Sequence, residues 1–593
     1  MATQREIFDY LFHTKLSSWT PLSAPHHELF TEEELAVLER SNRTFRTSGR
    51  TVVVLSFENR FASLGGLGAV IRQFPGALHE SGESVILLTP LHRNSASVGK
   101  ALSEGLLKER CRGVPVHICS YSCEADCYEE TGAPVPTFHI GITGRFSAGD
   151  NPYGYDDAEE LLFDALAFSA VVPSVLDKLG YTTHLLFHAH DWEASPIAVF
   201  ARFAVISSVL KQAKTVLTLH NSFDAPFPDR LKVLFFNKKL PGDTVLQCII
   251  PFLHGPLSAV STPFAHELRH DPLQRGFFAD HLQLLFRKNP PLGIENGMFG
   301  EPKVPFDRKD IDAAAQGNFA ALLQKKKQWR STFLKTLKKA KDRRIVGILD
   351  DASLDNPDIP VFFMSGRFDV MQKGFDVLFQ AFSRLQPGTA HLFFTPTLHN
   401  GDDDLSFFRE IVDRCKGTIV IWPFLLSSQQ YRTFLQGASY LLMPSMYEPF
   451  GAATEGFLHG TPLVARATGG LLAQIHPGRD FTTPRLYTSL IPVAPDDNKN
   501  GILYRENYPD GEAEKFWRSL LTAPLARRID NPLYRSMVEA GCQAVNEACT
   551  LFTDKDAYGA MIYSGLHSVQ QHTWTRAVEK YRQLYDSTVS RGC

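Results

Sequence analysis

The sequence predicts an α/β chain with two doubly wound parallel sheets, and three observations carry that expectation. Short unbroken apolar runs recur at Val52-Val53-Val54-Leu55, Leu185-Leu186-Phe187, Val361-Phe362-Phe363-Met364 and Leu441-Leu442-Met443; runs this short, without polar alternation, are how strands buried on both faces of a parallel sheet read. Glycine-rich or polar loops follow these runs and lead into stretches of helical periodicity, as in the strand, loop, helix, strand unit that binds nucleotides. At 593 residues the chain is too long for one core, so two large domains are expected.

Composition narrows the function classes. Hydrophobic residues make up 44% and charged residues 21%, with a net charge of -3, which describes an ordinary globular protein with no overall basic field for nucleic acid or an anionic membrane. The opening residues, MATQREIFDYLFHTK, place charges where a signal peptide needs an apolar core, and no run of eighteen apolar residues occurs. Nine cysteines, an odd number spread thinly, suit reduced thiols, so a cytoplasmic location is expected. Cys119, Cys123 and Cys127 are evenly spaced but lack the paired spacing of zinc sites, and no metal or other cofactor is expected.

The elements follow in order. Residues 1–49 form a polar extension with one helix begun by the N-cap Thr31 and the acidic Glu32-Glu33-Glu34. A core strand over 50–55 leads into a glycine loop, a helix to residue 81 and a second strand over 84–89. Residues 114–123 and 135–142 read as a strand pair, 157–179 as an amphipathic helix, and 214–219 and 257–261 as further strands. The lysine- and arginine-rich stretch 325–344 reads as a solvated basic helix. Strands over 361–365, 391–395, 418–422 and 438–443 build the second sheet, with a short helix over 451–459 and a last strand at Leu463-Val464-Ala465.

Several loops carry chemistry. Gly65 and Gly66 suit either a tight turn or close approach of the backbone to a phosphate. His188, His190, Asp191 and Trp192 cluster at a strand end, where imidazole and carboxylate can bond sugar hydroxyls and an indole can stack on a sugar face. Arg367 and Lys373 span a strand-end loop and a helix start, so a planar fork and a mobile point charge can converge on a diphosphate. Glu448 lies on the loop after a buried strand, and Thr468-Gly469-Gly470 lies after the next; a carboxylate suits sugar hydroxyls, and helix N-terminal amides favour phosphate.

The string EPFG from Glu448, the short helix and GTPLVARATGGL resemble the donor-sugar loop of the glycogen and starch synthase family, and GRFDVMQKGFDVL from Gly366 is similar to its archaeal-type members. Matches extend to HAHDW at 188–192, His220-Asn221, the turn around Asn296 and the closing helix from Trp574. The resemblance implies a retaining glycosyltransferase of the GT-B fold, with two facing Rossmann-like domains and a deep cleft. It implies glucose transfer from a nucleotide diphosphate glucose, ADP- or UDP-linked, to the nonreducing end of an α-1,4-glucan. Arg367, Lys373, Glu448 and His190 would be catalytic. Ser63, Gly65, Gly66, Gly451, Glu455, Thr468, Gly469 and Gly470 would bind the donor, and Asp191, Trp192, His220, Asn221 and Asn296 the sugar or acceptor. Residues 226–240 would be a flap over the acceptor channel.

Departures accompany the match. Ser63 stands for a lysine, Ala69 and Phe299 for aspartates, and Glu193 for the last histidine of HAHDWH, while Glu455 follows Glu448 by seven positions where the family usually has eight. The implied organisation is an extension over 1–49, an acceptor domain over 50–305, a linker region over 306–350, a donor domain over 351–540, and C-terminal helices over 541–593 that cross back. Another retaining transferase with a different acceptor, or a noncatalytic glucan-binding relative, remain the alternatives.

Overall fold

The computed structural model describes residues 4–22, 26–300, 303–398, 405–478, 481–490 and 498–591. The chain divides into two compact units. The first takes Asp9–Arg269, Phe278–Gly297 and the chain from Trp574 on; the second takes the chain before Asp9, His270–Phe277 and Met298–Thr573.

The first unit holds strands β1 (Thr51–Leu55), β2 (Ser84–Pro90), β3 (Leu107–Ile118), β4 (Tyr121–Glu130), β5 (Thr137–Ile142), β6 (Leu185–His190), β7 (Ala213–Leu219), β8 (Leu257–Ala259) and β9 (Leu292–Gly293). They form one sheet in the order β3-β4-β5-β2-β1-β6-β7-β8-β9. It is parallel except where β4 pairs antiparallel with β3 and β5. The second unit holds β10 (Val361–Arg367), β11 (His391–Thr397), β12 (Ile419–Ile421), β13 (Tyr440–Met443), β14 (Leu463–Arg466) and β15 (Gly501–Tyr504), in the order β12-β11-β10-β13-β14-β15. That is the doubly wound pattern in which strand order reverses beside the first strand. Ligands collect at such a reversal, beyond the carboxyl ends of the strands. The reversal falls between β1 and β6 in one unit and between β10 and β13 in the other. Among the described residues no helix is long and apolar enough to cross a membrane.

The structure revises several expected elements. The pair over 114–123 and 135–142 is three strands, because Cys119 takes a positive φ of 54° and turns β3 back into β4. Cys119 sits in that turn while Cys127 faces Cys111 across the ladder, so the three evenly spaced cysteines share no single face. The expected flap is a helix, Asp229–Phe236, whose Phe235 packs against Tyr121, Phe163 and Phe200. An apolar face buried in that way makes the segment part of the core.

The basic helix Ala320–Lys339 is not wholly solvated. Lys326 is buried, and its ammonium donates to the carbonyls of Gln436 (2.6 Å) and Ala438 (2.9 Å) and to the Thr461 hydroxyl (2.8 Å). Three acceptors replace the water that burial removes. The C-terminal stretch also divides. Helices Pro532–Thr553 and Lys555–Val569 belong to the second unit, while Trp574–Ser590 belongs to the first, where the Trp574 indole donates to Gln73 at 2.7 Å. The N-terminal helix Glu32–Thr44 begins with a full capping box at Thr31 and Glu34 and is tied to the first unit through Ser41 and Thr44.

Candidate active site

In the second unit, the strand reversal brings the ends of β10 and β13 side by side. Arg367 is the last residue of β10, and its Nη2 donates to Asp369 Oδ2 at 3.2 Å and to Gln372 Oε1 at 2.7 Å. Two acceptors hold the guanidinium in one orientation. Lys373 Nζ donates to Glu448 Oε2 at 2.7 Å, and the Ser445 hydroxyl donates to the same oxygen at 2.8 Å. Glu448 itself is only 7% exposed. Three of the four expected catalytic residues are thus brought together, with Lys373 and Glu448 as a direct ion pair.

The backbone around Glu448 is clamped from four directions. The Met446 amide donates to the Gln372 carbonyl at 2.7 Å, which ties the Glu448 loop to the Arg367 loop. Arg466, fully buried on β14 and paired with Glu506, donates to the Met446 carbonyl at 2.6 Å. Gln474 donates to the Phe450 carbonyl at 2.8 Å, and the Gly470 amide donates to the Glu448 carbonyl at 2.9 Å. The last contact corrects the expected role of Gly470, because its amide is spent on Glu448 rather than offered to a diphosphate. The following helix, Leu471–Gln474, is a single turn. Glycines at 469 and 470 serve the approach of one backbone segment to another: a Cβ on Gly470 would fall far inside van der Waals contact of the Phe450 carbonyl oxygen. Gly451, at φ 83°, packs in the same way against Glu448 and Leu471.

A cavity of about 850 Å³ opens in the same unit, lined among others by Ser365, Thr395, Thr397, Tyr431, Arg432 and Glu455. Glu455 reaches it from the helix Ala453–Leu458, accepts from the Tyr431 hydroxyl at 3.2 Å, and has its carboxyl pushed above the usual carboxylate range by burial. The seven-residue spacing therefore still delivers Glu455 to the cavity. Phe299, standing where the resembling family has an aspartate, lines its rim and meets Phe450 edge-on at 5.5 Å. Tyr431, Arg432 and the two threonines were not singled out by the sequence. The readable signal for the helix that carries Tyr431 is its capping box, Ser427 with Gln430. Ser427→Ala should lower the unfolding free energy by about 1 kcal/mol, the usual cost of losing an N-cap acceptor, as read by urea denaturation.

In the first unit, β6 runs on past Phe187, so that His188 and His190 belong to the strand itself. His188 bonds Tyr585 and Thr218, each at 2.7 Å, and His190 Nδ1 meets His220 Nε2 at 2.8 Å. Burial lowers all three imidazoles, His188 and His220 to about 3, so they act as neutral hydrogen-bonding groups. His190 Nε2 is buried and makes no hydrogen bond.

Asp191 takes a positive φ of 60° and accepts from the His220 amide (2.6 Å) and the Asn221 side chain (3.1 Å). It is a clamp on the end of β7, and that corrects its expected contact with sugar. Trp192 is 5% exposed and offers no open face for stacking, a second correction. Glu193 has one buried oxygen without a hydrogen bond, and burial with the neighbouring Asp191 pushes its carboxyl well up. Asn296 is buried with a free Oδ1. The glycine loop after β1 is occupied by the chain itself: Glu58 Oε2 accepts from the amides of Leu64 and Gly68. Sequence reasoning had passed over Glu58, whose partners lie six and ten residues away.

Comparison with known proteins agrees with these two folds. A family model for the starch synthase catalytic domain matches residues 51–247, and one for family 4 glycosyltransferases in conflict systems matches 331–507. A glycogen synthase of Bacillus cereus is 25% identical over 439 residues, covering 70% of this chain and 83% of the relative. One from Koribacter versatilis is 26% identical over 448 residues, covering 69% and 81%. The catalytic domain of starch synthase IV from Arabidopsis thaliana, bound to ADP and acarbose, superposes with a TM-score of 0.65 at 16% identity, covering 91% of this chain and 99% of that one. The chain is a glycosyltransferase of the GT-B fold, related to the glycogen and starch synthases.

Proposed function

We propose that the protein is a retaining glucosyltransferase that moves glucose from a nucleotide diphosphate glucose to the nonreducing end of an α-1,4-glucan, in the cytoplasm. The observation that carries this reading is the oriented Arg367 guanidinium and the Lys373–Glu448 pair in the same unit as the Glu455 cavity, which is lined by Thr397, the ladder partner of Arg367. A cavity of that size suits a nucleoside, with the Glu455 carboxyl and neighbouring hydroxyls as partners for ribose. Arg367 and Lys373 then stabilise the charge that develops on the leaving diphosphate, a preorganised electrostatic role. Glu448 exchanges its bond to Lys373 for bonds to sugar hydroxyls.

In the first unit, His190 Nε2 is the acceptor or donor aimed at the transferred sugar, backed by His220, while Asn221 and Asn296 supply further polar contacts. A neutral imidazole fits that task, since it can donate to or accept from a sugar hydroxyl. Ser63 and the remaining glycine-loop residues lie on the donor-facing side of the fold in the resembling family.

Incubation with ADP-glucose and UDP-glucose, each with and without maltooligosaccharide, tests the reading by chain length and free nucleotide. Glucan elongation with nucleotide release is the expected result. Release without elongation would assign a different acceptor, and glucan binding with no turnover would mark a noncatalytic relative.

A further inference from the structure

Four buried charges of alternating sign run through the second unit to the Glu448 loop. Arg466 donates from Nε to Glu506 Oε2 at 2.9 Å and from Nη1 to the Met446 carbonyl at 2.6 Å. Glu506 Oε1 lies 3.1 Å from Arg505 Nε, and Arg505 Nη2 donates to Asp271 Oδ2 at 2.6 Å. The four side chains are between 1% and 8% exposed. Burial works against the charge on Glu506, yet the Arg466 and Arg505 guanidiniums outweigh it and hold the carboxyl below its ordinary range. Asp271, in the segment His270–Phe277, is fixed in turn, because its Oδ1 accepts from the amides of Leu273 at 2.9 Å and Gln274 at 3.3 Å.

Arg505 is the hub of the chain. It follows β15, and its Nη1 donates to the Ala467 carbonyl at 2.7 Å and to the Tyr487 hydroxyl at 2.8 Å. One guanidinium therefore reaches the Glu448 loop by two routes. Through Glu506 and Arg466 it bears on the carbonyl of Met446, two residues before Glu448. Through Ala467 it holds the start of the turn whose Gly470 amide donates to the Glu448 carbonyl. Desolvation offsets most of the attraction within buried ion pairs, so the value of this chain is geometric: each charge is satisfied only when the next stands in one place.

We propose that Arg505 is a positioning residue for Glu448, with Asp271 as the counter-charge that fixes its guanidinium. Arg505 acts through the Met446 and Ala467 carbonyls and not on the reacting groups. The inference deepens the transfer reaction proposed above and rests on it for the role of Glu448.

Amide hydrogen exchange of the full chain, with steady-state kinetics on the active donor, tests this in Arg505→Lys and Asp271→Leu. Arg505→Lys keeps the charge between Asp271 and Glu506 but replaces the planar fork by a single ammonium, which cannot hold acceptors set around a guanidinium. The amides of residues 446–450 and 467–471 should exchange about tenfold faster, the loss expected for bonds to a charged group, while those of β10 and β11 keep their rates. Turnover should fall on the order of tenfold, as reacting groups lose their alignment. Asp271→Leu should loosen the same two stretches, and Asp271→Asn, which keeps an acceptor for Arg505, should restore most of their protection. Unchanged exchange at both stretches in a folded Arg505→Lys, or acceleration spread evenly over the unit, would overturn the proposal. So would full turnover in a variant with both stretches loosened. If either Arg505→Lys or Asp271→Leu fails to fold, the other decides on the same amides. If the unmodified protein elongates no glucan, the proposed reaction fails and the exchange arms still judge the positioning.

Discussion

Arg367→Ala and Lys373→Ala should each lower turnover about a hundredfold or more, because each cation is asked for roughly 3 kcal/mol of charge stabilisation in the transition state. The two losses should differ in character. Arg367 is held by the partly exposed Asp369 and by the buried Gln372, and its removal strands a neutral amide oxygen but no buried charge. Arg367→Lys should recover only part of the rate, since a point charge does not reproduce the planar fork. Lys373 is the charged partner of a Glu448 that is 7% exposed and otherwise bonded by Ser445. Removing it leaves a nearly buried carboxylate with one neutral hydrogen bond, so a loss of stability should accompany the loss of rate. Adding Glu448→Gln to Lys373→Ala should restore stability but not turnover. Steady-state kinetics with the active donor, alongside thermal unfolding, separates these effects. Near-normal rates in both single variants would remove the donor diphosphate from this site.

The sheets were legible in the sequence because buried parallel strands leave a signal that survives without context. The runs around Val52, Leu185, Val361 and Leu441 each became a central strand, and the site loops follow from where those strands stop. What escaped the sequence was set by side chains that fold back on the backbone. Glu58 reads as one polar residue among several, and only the loop's closure brings its oxygen onto amides six and ten positions later. Lys326 sits in a basic run that looks solvated, yet it is the one of that helix's lysines that turns inward to three acceptors. Trp192 carries no local mark that separates an indole stacked on sugar from one packed in a core. Gly469-Gly470 reads as a phosphate loop, whereas its tight approach is to the protein's own Glu448 and Phe450 backbone. What was missed in each case is the partner, because partners come from tertiary contacts that spacing does not encode.

That approach makes Gly469→Ala the substitution expected to do most damage for a single added methyl. Gly469 has φ 49°, which by itself costs alanine only about 1 kcal/mol. The larger penalty is steric. An added Cβ would fall far inside van der Waals contact of the Glu448 carbonyl oxygen and 2.7 Å from its carbon. These are backbone atoms that cannot rotate away. Nor can the segment shift freely, since the Gly470 amide, Arg466 and Gln474 hold the carbonyls of Glu448, Met446 and Phe450. Relief must come from moving the whole Glu448 loop, which draws the carboxylate off Lys373. A stability loss of about 2–4 kcal/mol is expected from strain of this kind, together with a turnover loss on the order of a hundredfold, because a displacement near 1 Å at reacting groups costs that much. Gly388→Ala is the control: Gly388 also has a positive φ, of 77°, but nothing lies within 4 Å of its added Cβ. It should show the 1 kcal/mol backbone cost and unchanged turnover. Urea denaturation and initial rates on both variants check the pair, and a Gly469→Ala protein that behaves like Gly388→Ala would refute the clamp on Glu448.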